Sequence, residues 1–268
     1  MYRAKTISLC MPCRNESKHL EDVIKRVPSF VDEIIVVSNK STDDTVQIAE
    51  NLGVRVYEDN RTIGKIGYGF AHMTGIHAAK CDIIVGADSD GTYPVEQLDV
   101  IIDNMIDNNL QFLSCNRHPM LNETNIPFML RFGVWSLNME VRLLYWHKMQ
   151  DMLSGMWLID SSIKDKLNLR MGDWNLSPEI KINAARHPEI NFAEYHIEQH
   201  QRLGETHQNY WVTGLRHMWW IFINRFRITP KARRIFSAES KAECLKNTLR
   251  IISENESVNY IRSNSQSV

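Results

Sequence analysis

Cys81-Asp82-Ile83-Ile84-Val85-Gly86-Ala87-Asp88-Ser89-Asp90-Gly91-Thr92-Tyr93-Pro94 is the stretch that decides the fold. An apolar run of strand length meets two carboxylates spaced by one residue. The run is apolar throughout, which predicts a strand covered on both faces, as in a parallel sheet between helices. In open α/β sheets ligands bind beyond the carboxyl ends of the strands, where Asp88 and Asp90 fall. Two carboxylates at that spacing can converge on a hard divalent cation, Mg2+ or Mn2+. Gly91 lets the chain turn close to a ligand.

Outward from this point the first half alternates strands and helices. Thr6 to Met11 is a buried-strand run ending at Pro12, and Leu20, Val23, Ile24 and Val27 recur at helical spacing until Pro28. Glu33 to Ser38 is a second strand, followed by a helix that Ser41 can cap, with Asp43 and Asp44 in its first turn and Gly53 after its end. Val54 to Tyr57 is a third strand, Cys81 to Ala87 the fourth and Leu110 to Ser114 the fifth, with Pro94 opening a helix that runs to about Asn108. Repeated β-α units of this kind predict a mostly parallel central sheet flanked by helices. The second half is less regular. Pro127 to His147 reads as an amphipathic helix, Ser177 and Pro178 open another, Ile190 to Ile197 alternates like a strand, and a polar helix follows from about Ser237.

Composition narrows the classes. The chain has 268 residues, 43% hydrophobic and 24% charged, which is ordinary for a soluble globular protein. Lys and Arg number 31 against 32 Asp and Glu, so a general electrostatic grip on nucleic acid is not expected. The longest stretch without a charged residue, Ile66 to Ala79, falls short of the roughly 18 apolar residues of a membrane span. An apolar leader is missing after Met1, and the five scattered cysteines point to reduced thiols, so a cytoplasmic setting is expected. Cys10-Met11-Pro12-Cys13 has no second pair to complete a zinc site, and His196-Ile197-Glu198-Gln199-His200 lacks the metalloprotease spacing. An oligomer is left open.

Three further loops end on the sheet edge that carries Asp88: Pro12-Cys13-Arg14-Asn15-Glu16, Ser38 to Thr45, and Gly64-Lys65-Ile66-Gly67-Tyr68-Gly69. A glycine-rich turn into a helix can approach phosphates, and Lys65 can neutralise them. Neither the P-loop nor the dinucleotide fingerprint is present.

The order of these motifs resembles family 2 glycosyltransferases of GT-A fold, and most of all the branch of dolichol- and polyprenyl-phosphate mannosyl- and glucosyltransferases. That branch has a P-x-x-N-E loop, here Pro12 to Glu16, and an acidic D-D/N-x-S-x-D-x-T loop, here Ser38 to Thr45. It continues with G-Y-G-x-A-x-x-x-G-I, here Gly67 to Ile76, and D-A-D-G-T-Y-P, here Asp88 to Pro94. The resemblance extends over Arg117, Asp151 to Trp157, Ser177 to Lys181 and Arg202 to Glu205, spanning roughly residues 5 to 220. It implies one GT-A domain over 1–220, with a nucleotide-sugar half (1–116) and an acceptor half (117–220), and a helical appendage with a polar tail over 221–268.

The resemblance also implies roles. Pro12, Arg14, Glu16, Val37 and Asn39 would line the nucleoside pocket of a UDP- or GDP-sugar donor, with Lys65 and Gly67 beside it. Asp88, Ser89 and Asp90 would hold the donor diphosphate and, through Asp88 and Asp90, an Mg2+ or Mn2+ ion. Arg117, Arg131, Arg202 and His207 would face donor or acceptor phosphates, which an arginine fork pairs bidentately. Asp151 is the first candidate for a general base and Glu179 the second, with Arg202 completing the catalytic set. Inversion at the anomeric carbon is implied as well. Three positions depart from the pattern: Ser38 replaces an Asp, Arg14 an aromatic residue and His207 a Lys.

The acceptor expected from the resemblance is a polyprenyl phosphate or other lipid-linked molecule. Residues 216–234 support that expectation, because six basic residues lie there among aromatics with no acid, a pattern suited to an anionic membrane surface and a peripheral position at its inner face. Two alternatives stay open: transfer to a soluble sugar, nucleoside or metabolite, and an inactive GT-A domain serving as a scaffold. A nucleotidyltransferase would release pyrophosphate and lacks the glycine-rich, lysine-containing N-terminal loop it would need.

Overall fold

In this computed structural model, which describes residues 1–119, 128–201, 203, 210–226 and 238–265, seven strands form one sheet. They are β1 (Ile7–Cys13), β2 (Glu33–Ser38), β3 (Arg55–Glu58), β4 (Ile83–Gly86), β5 (Phe112–Asn116), β6 (Trp157–Asp160) and β7 (Phe192–His196). Their order in the sheet is β3-β2-β1-β4-β6-β5-β7. The helices are α1 (Leu20–Lys25), α2 (Thr45–Asn51), α3 (Tyr68–Ala78), α4 (Leu98–Asp107), α5 (Phe128–Tyr145), α6 (Leu176–Arg186), α7 (Tyr210–Phe226) and α8 (Ala238–Ser265).

The expected α/β class holds, with helices on both sides of the sheet. Alternate residues of one strand enter opposite core layers. Cys10, Ile35, Val37 and Ile84 pack in one layer; Leu9, Met11, Val36, Ile83 and Val85 pack in the other. That division is why β4 is apolar throughout. β1 runs one step past its expected end: Pro12 pairs in register with Val37 and Cys13 with Ser38. Four strand pairings are parallel. The two made by β6 are antiparallel, Gly86 facing Trp157 across β4 and Ser114 facing Trp157 across β5. Sequence reading marked no strand at β6.

Asp43, rather than Ser41, closes the start of α2: its carboxylate accepts from the Thr45 N–H at 3.1 Å and, across the loop, from the Ser17 N–H at 3.1 Å. Gly53, at φ +71°, takes the left-handed turn that follows the helix. α8 lies along α3 and β3, where Thr248 accepts from Arg61 at 2.9 Å. No described helix is long and apolar enough to cross a membrane.

Candidate active site

β1, β2, β4, β5 and β7 all finish on one edge of the sheet, and β6, running the other way, starts there. The topology therefore brings Arg14, Asn39, Asp88 to Asp90, Gly155 and Arg117 to a common edge.

Asp88 stands just beyond β4 with its side chain 21% exposed. Its Oδ1 accepts from the Tyr68 hydroxyl at 3.0 Å. His72, one turn further along α3, places Nε2 3.9 Å from the same oxygen. Burial pulls the His72 pKa down to about 3, so the ring is neutral. Ser89 donates to the Pro12 carbonyl at 2.9 Å, tying the acidic loop to the end of β1. Asp90 accepts from the Thr92 N–H at 3.0 Å, and Gly91 turns the chain at φ +77°. Across this loop, Gly155 donates its N–H to the Tyr93 hydroxyl. A Cβ at Gly155 would stand 2.7 Å from the Tyr68 hydroxyl and 2.9 Å from Asp88 Oδ2, so only glycine fits there without displacement.

The nucleoside side is built from interlocked loops. The Asn15 side chain accepts from the Thr42 N–H at 2.8 Å, and Ser41 accepts from the Asn15 N–H at 3.2 Å. Arg14 is exposed and donates to the Lys65 carbonyl at 2.8 Å; Lys65 is also exposed. Glu16 is half-buried, with its N–H on the Thr45 hydroxyl at 2.9 Å. Val37 lies in the core. Asn39 is 3% exposed and turns inward, its amide donating to the carbonyls of Asp59 and Arg61. Gly67 is held close by it: a Cβ there would overlap the Asn39 side chain. Glycine at this position serves backbone approach to Asn39.

The acceptor side is a buried network of charges. Arg117 donates through Nε and Nη2 to the two carboxylate oxygens of Asp151, at 2.7 and 3.0 Å. Asp151 also accepts from the N–H groups of Arg117 and Leu153 and is 0% exposed. Burial alone would raise its pKa, but the charge and hydrogen bonds of Arg117, with Lys181, hold it well below the usual carboxylate range. Lys181, equally buried on α6, donates to the carbonyls of Asp151 at 2.8 Å and Ser154 at 2.7 Å. Burial lowers its pKa to about 8, against the opposing pull of Asp151 and Glu194. Glu194 accepts from the N–H groups of Gln150 and Asp151. Glu179, also on α6, accepts from the N–H groups of Arg170 and Met171 at 2.9 and 2.8 Å, and burial lifts its pKa to about 7.

Sequence reading gave no role to Tyr68, His72, Lys181 or Glu194, although Tyr68 and His72 fall within the Gly67 to Ile76 motif and Lys181 closes the Ser177 to Lys181 motif. Lys181 also lies between Ile180 and Ile182 on a helix whose neighbouring residues are buried, a second sign that it faces inward. Of the remaining candidates, Arg131 is exposed on α5, whereas Arg202 and His207 lie outside the described residues, as do Arg227, Lys231, Arg233 and Arg234. The described part of the basic, aromatic segment is α7. It buries His217, Trp220 and Ile221 and leaves Trp211, Leu215, Trp219, Phe222 and Phe226 exposed. α5 packs beside it, with the Tyr145 hydroxyl on the Ile221 carbonyl at 2.8 Å, and exposes Phe132, Trp135 and Leu143, with Trp146 exposed just past its end.

A profile for "Glycosyl transferase family 2" matches residues 8–167, from β1 through β6 and the turn after it. The chain belongs to glycosyl transferase family 2. It is 26% identical over 229 residues to the low-salt glycan biosynthesis hexosyltransferase Agl6 of Haloferax volcanii, covering 82% of this chain and 54% of that protein. It is 27% identical over 212 residues to the dolichyl-phosphate hexose transferase of the same organism, covering 76% of this chain and 87% of the relative. The glycosyltransferase Rv0539 of Mycobacterium tuberculosis aligns at 29% identity over 141 residues, 51% of this chain and 62% of its own length. The chain thus spans little more than half the length of the first of these relatives. Among solved structures, the glucosyl-3-phosphoglycerate synthase of M. tuberculosis with Mn2+, UDP-glucose and phosphoglyceric acid superposes with a TM-score of 0.63 at 20% identity, over 84% of this chain and 81% of that one. This likeness is one of fold.

Family 2 membership makes a cation at Asp88 and Asp90 the chemistry to test against the donor set. Among the described residues no three His, Cys, Asp or Glu side chains converge as a complete metal cage. Two carboxylates at a strand end nevertheless suit Mg2+ or Mn2+, which are held by one or two carboxylates and complete their shell with water and substrate phosphate oxygens. The glycine facing Asp88 at residue 155 keeps side-chain bulk out of that position.

Proposed function

We propose that this family 2 chain transfers a sugar, with inversion, from a UDP- or GDP-sugar to a polyprenyl phosphate or other lipid-linked acceptor at a membrane surface. The observation that carries the donor half is the Asp88-Ser89-Asp90 loop at the end of the central strand β4, held against β1 by Ser89 and facing Gly155.

Asp88 and Asp90 would hold Mg2+ or Mn2+, which when bound supplies positive charge to the departing diphosphate. The remaining work falls to the chain's own groups. Arg14 and Lys65, both exposed at the pocket's rim, add positive charge where the nucleotide enters. The loops at Asn15 and Ser41 brace each other and present a fixed wall to the nucleoside. Arg117 is oriented by its bidentate pairing with Asp151, and Lys181 holds the chain between Asp151 and Ser154.

Two observations support an acceptor that brings its own negative charge. Both oxygens of Asp151 are engaged by Arg117 and by backbone N–H groups, and Glu179 is buried against two N–H groups of its own. Asp151, so engaged, is not placed to take a proton from a hydroxyl, and Glu179 is closed off by burial, whereas a phosphate acceptor needs no base. The paired helices α5 and α7 favour the lipid-linked form. Their exposed faces are aromatic, α7 holds Arg216 and Arg225 with no acid, and Arg131 and Arg142 are exposed on α5. Aromatic and basic side chains together suit an anionic lipid surface.

The first test is a thermal-shift titration with UDP, GDP, CDP and dTDP, each with Mn2+, Mg2+ or chelator. A nucleotide at 100 times its Kd adds about 2.7 kcal/mol of stability. Stabilisation by one nucleotide only with metal, lost in Asp88→Ala, is the expected result. No shift under any condition rejects the donor site and favours a scaffold domain. Incubation of the donor with polyprenyl phosphate or with soluble acceptors, read by mass, then separates the lipid reading from the soluble one.

A further inference from the structure

His72 is an exception to the rule that buried polar groups find partners. Its side chain is fully buried, yet neither ring nitrogen has a hydrogen-bond partner among the described residues. It is walled by aromatic rings, edge-on to Tyr68 at 4.6 Å and tilted against Trp157 at 5.2 Å. Its Nε2 is aimed at Asp88 Oδ1 across 3.9 Å, too far for a hydrogen bond. Tyr68 already donates to that same oxygen at 3.0 Å, and Trp174 covers the tyrosine ring at 4.5 Å. Tyr68 and His72 are four residues apart on α3, the spacing that places two side chains on one face of a helix. The tyrosine hydroxyl and the imidazole Nε2, carried on one helix, thus face a single carboxylate oxygen.

We propose that Tyr68 and His72 are positioning residues for Asp88: Tyr68 fixes the carboxylate by its hydrogen bond, and His72 donates a second one as the carboxylate settles onto a divalent cation. The proposal rests on the reading of Asp88 as a cation ligand. It accounts for a buried imidazole that would otherwise be better replaced by a hydrocarbon. It also accounts for Gly155, whose missing side chain leaves the tyrosine hydroxyl and the carboxylate room to stay in contact. Groups that orient metal ligands from behind change metal affinity about 10- to 100-fold when removed.

The test is Mn2+ binding by the full chain, followed by the loss of the EPR signal of free Mn2+, alone and with UDP or GDP. Tyr68→Phe and His72→Leu should each weaken Mn2+ binding about tenfold or more. Thermal unfolding without metal should be unchanged or slightly raised for His72→Leu, because an unsatisfied polar group is replaced by an apolar one. His72→Gln, which keeps an N–H near the Nε2 position, should restore affinity close to that of the parent. A purely structural histidine would show the opposite split, with lower melting temperature and unchanged Mn2+ affinity. If the parent binds Mn2+ and both Tyr68→Phe and His72→Leu bind it equally well, this inference is overturned and the donor site stands. If the parent binds no Mn2+ under any of these conditions, the donor-site reading itself falls.

Discussion

The two acidic centres on the active edge, Asp88 and Asp151, are treated in opposite ways by the same fold. Asp88 follows an apolar strand, keeps 21% of its side chain exposed and meets Tyr68 and His72 from one side. Asp151 is entirely buried, with Arg117 across both its oxygens and Lys181 on its own carbonyl. A carboxylate whose oxygens are all engaged can organise a neighbour but has nothing left to offer a ligand. A carboxylate at the solvent edge of a strand can exchange its partners. The contrast teaches that burial and pairing can separate two carboxylates that are equally prominent in the sequence: one is locked in an ion pair and the other is left at the solvent edge.

The comparison breaks most sharply at Asp151. Asp151→Asn leaves the buried Arg117 without the carboxylate that pairs it, so unfolding in denaturant should show a loss of about 3–5 kcal/mol. A variant that keeps its stability and loses only turnover would give Asp151 the role assigned to Asp88. Asp88→Ala should do the reverse: transferase activity falls by about 10²–10³, as for removal of a group that stabilises developing charge, while the melting temperature without ligand stays at the parent value.

Glu179 extends the contrast to pH. Its pKa is raised by burial to about 7, above the ordinary 4.5. A raised carboxyl favours the folded state while protonated, so its contribution is complete below about pH 4.5 and is lost as pH rises through 7. Over that window the parent should lose about 3 kcal/mol relative to Glu179→Gln in paired denaturant curves. Parallel curves would mean that Glu179 is as well solvated as Asp88. The smallest effect on folding is expected at Trp219, exposed on α7. Trp219→Ser should change stability by no more than about 0.5 kcal/mol. The same variant should sediment less with anionic vesicles, and unchanged sedimentation would remove α7 from the membrane reading.

Much of the donor side was legible in the sequence because its signals are local. β2 and β4 are built on apolar runs, Ile34 to Val37 and Ile83 to Val85, Gly53 and Gly91 sit where the backbone is left-handed, and Asp88 stands two residues past its strand. β6 was not legible. Met156 to Ile159 is only a short apolar run, and hydropathy does not report the direction in which a strand will pair. The Arg117–Asp151 pairing joins residues separated by 34 positions, and no local pattern announces such a contact. Lys181 carries the sign of a solvated residue, and only the carbonyls of Asp151 and Ser154, supplied by a distant turn, make its burial tolerable. The helix at Pro127 to His147 and the strand at Ile190 to Ile197 were anticipated, with their ends shifted by a few residues.

β6 separates β4 from β5 and opposes both. A strand that ran with its neighbours would have sent the residues before it to the far edge of the sheet. Reversal delivers residues 151–156 to the active edge on the way in, so one short segment touches Tyr93, Arg117 and Asp88's surroundings before the strand begins. That segment is a seam along the sheet edge: β1, β2 and β4 end on one side of it, and β5 and β7 end on the other. The connection between β5 and β6 can therefore change in length or character while Gly86 and Ser114, both facing Trp157, keep the seam in register with its neighbours.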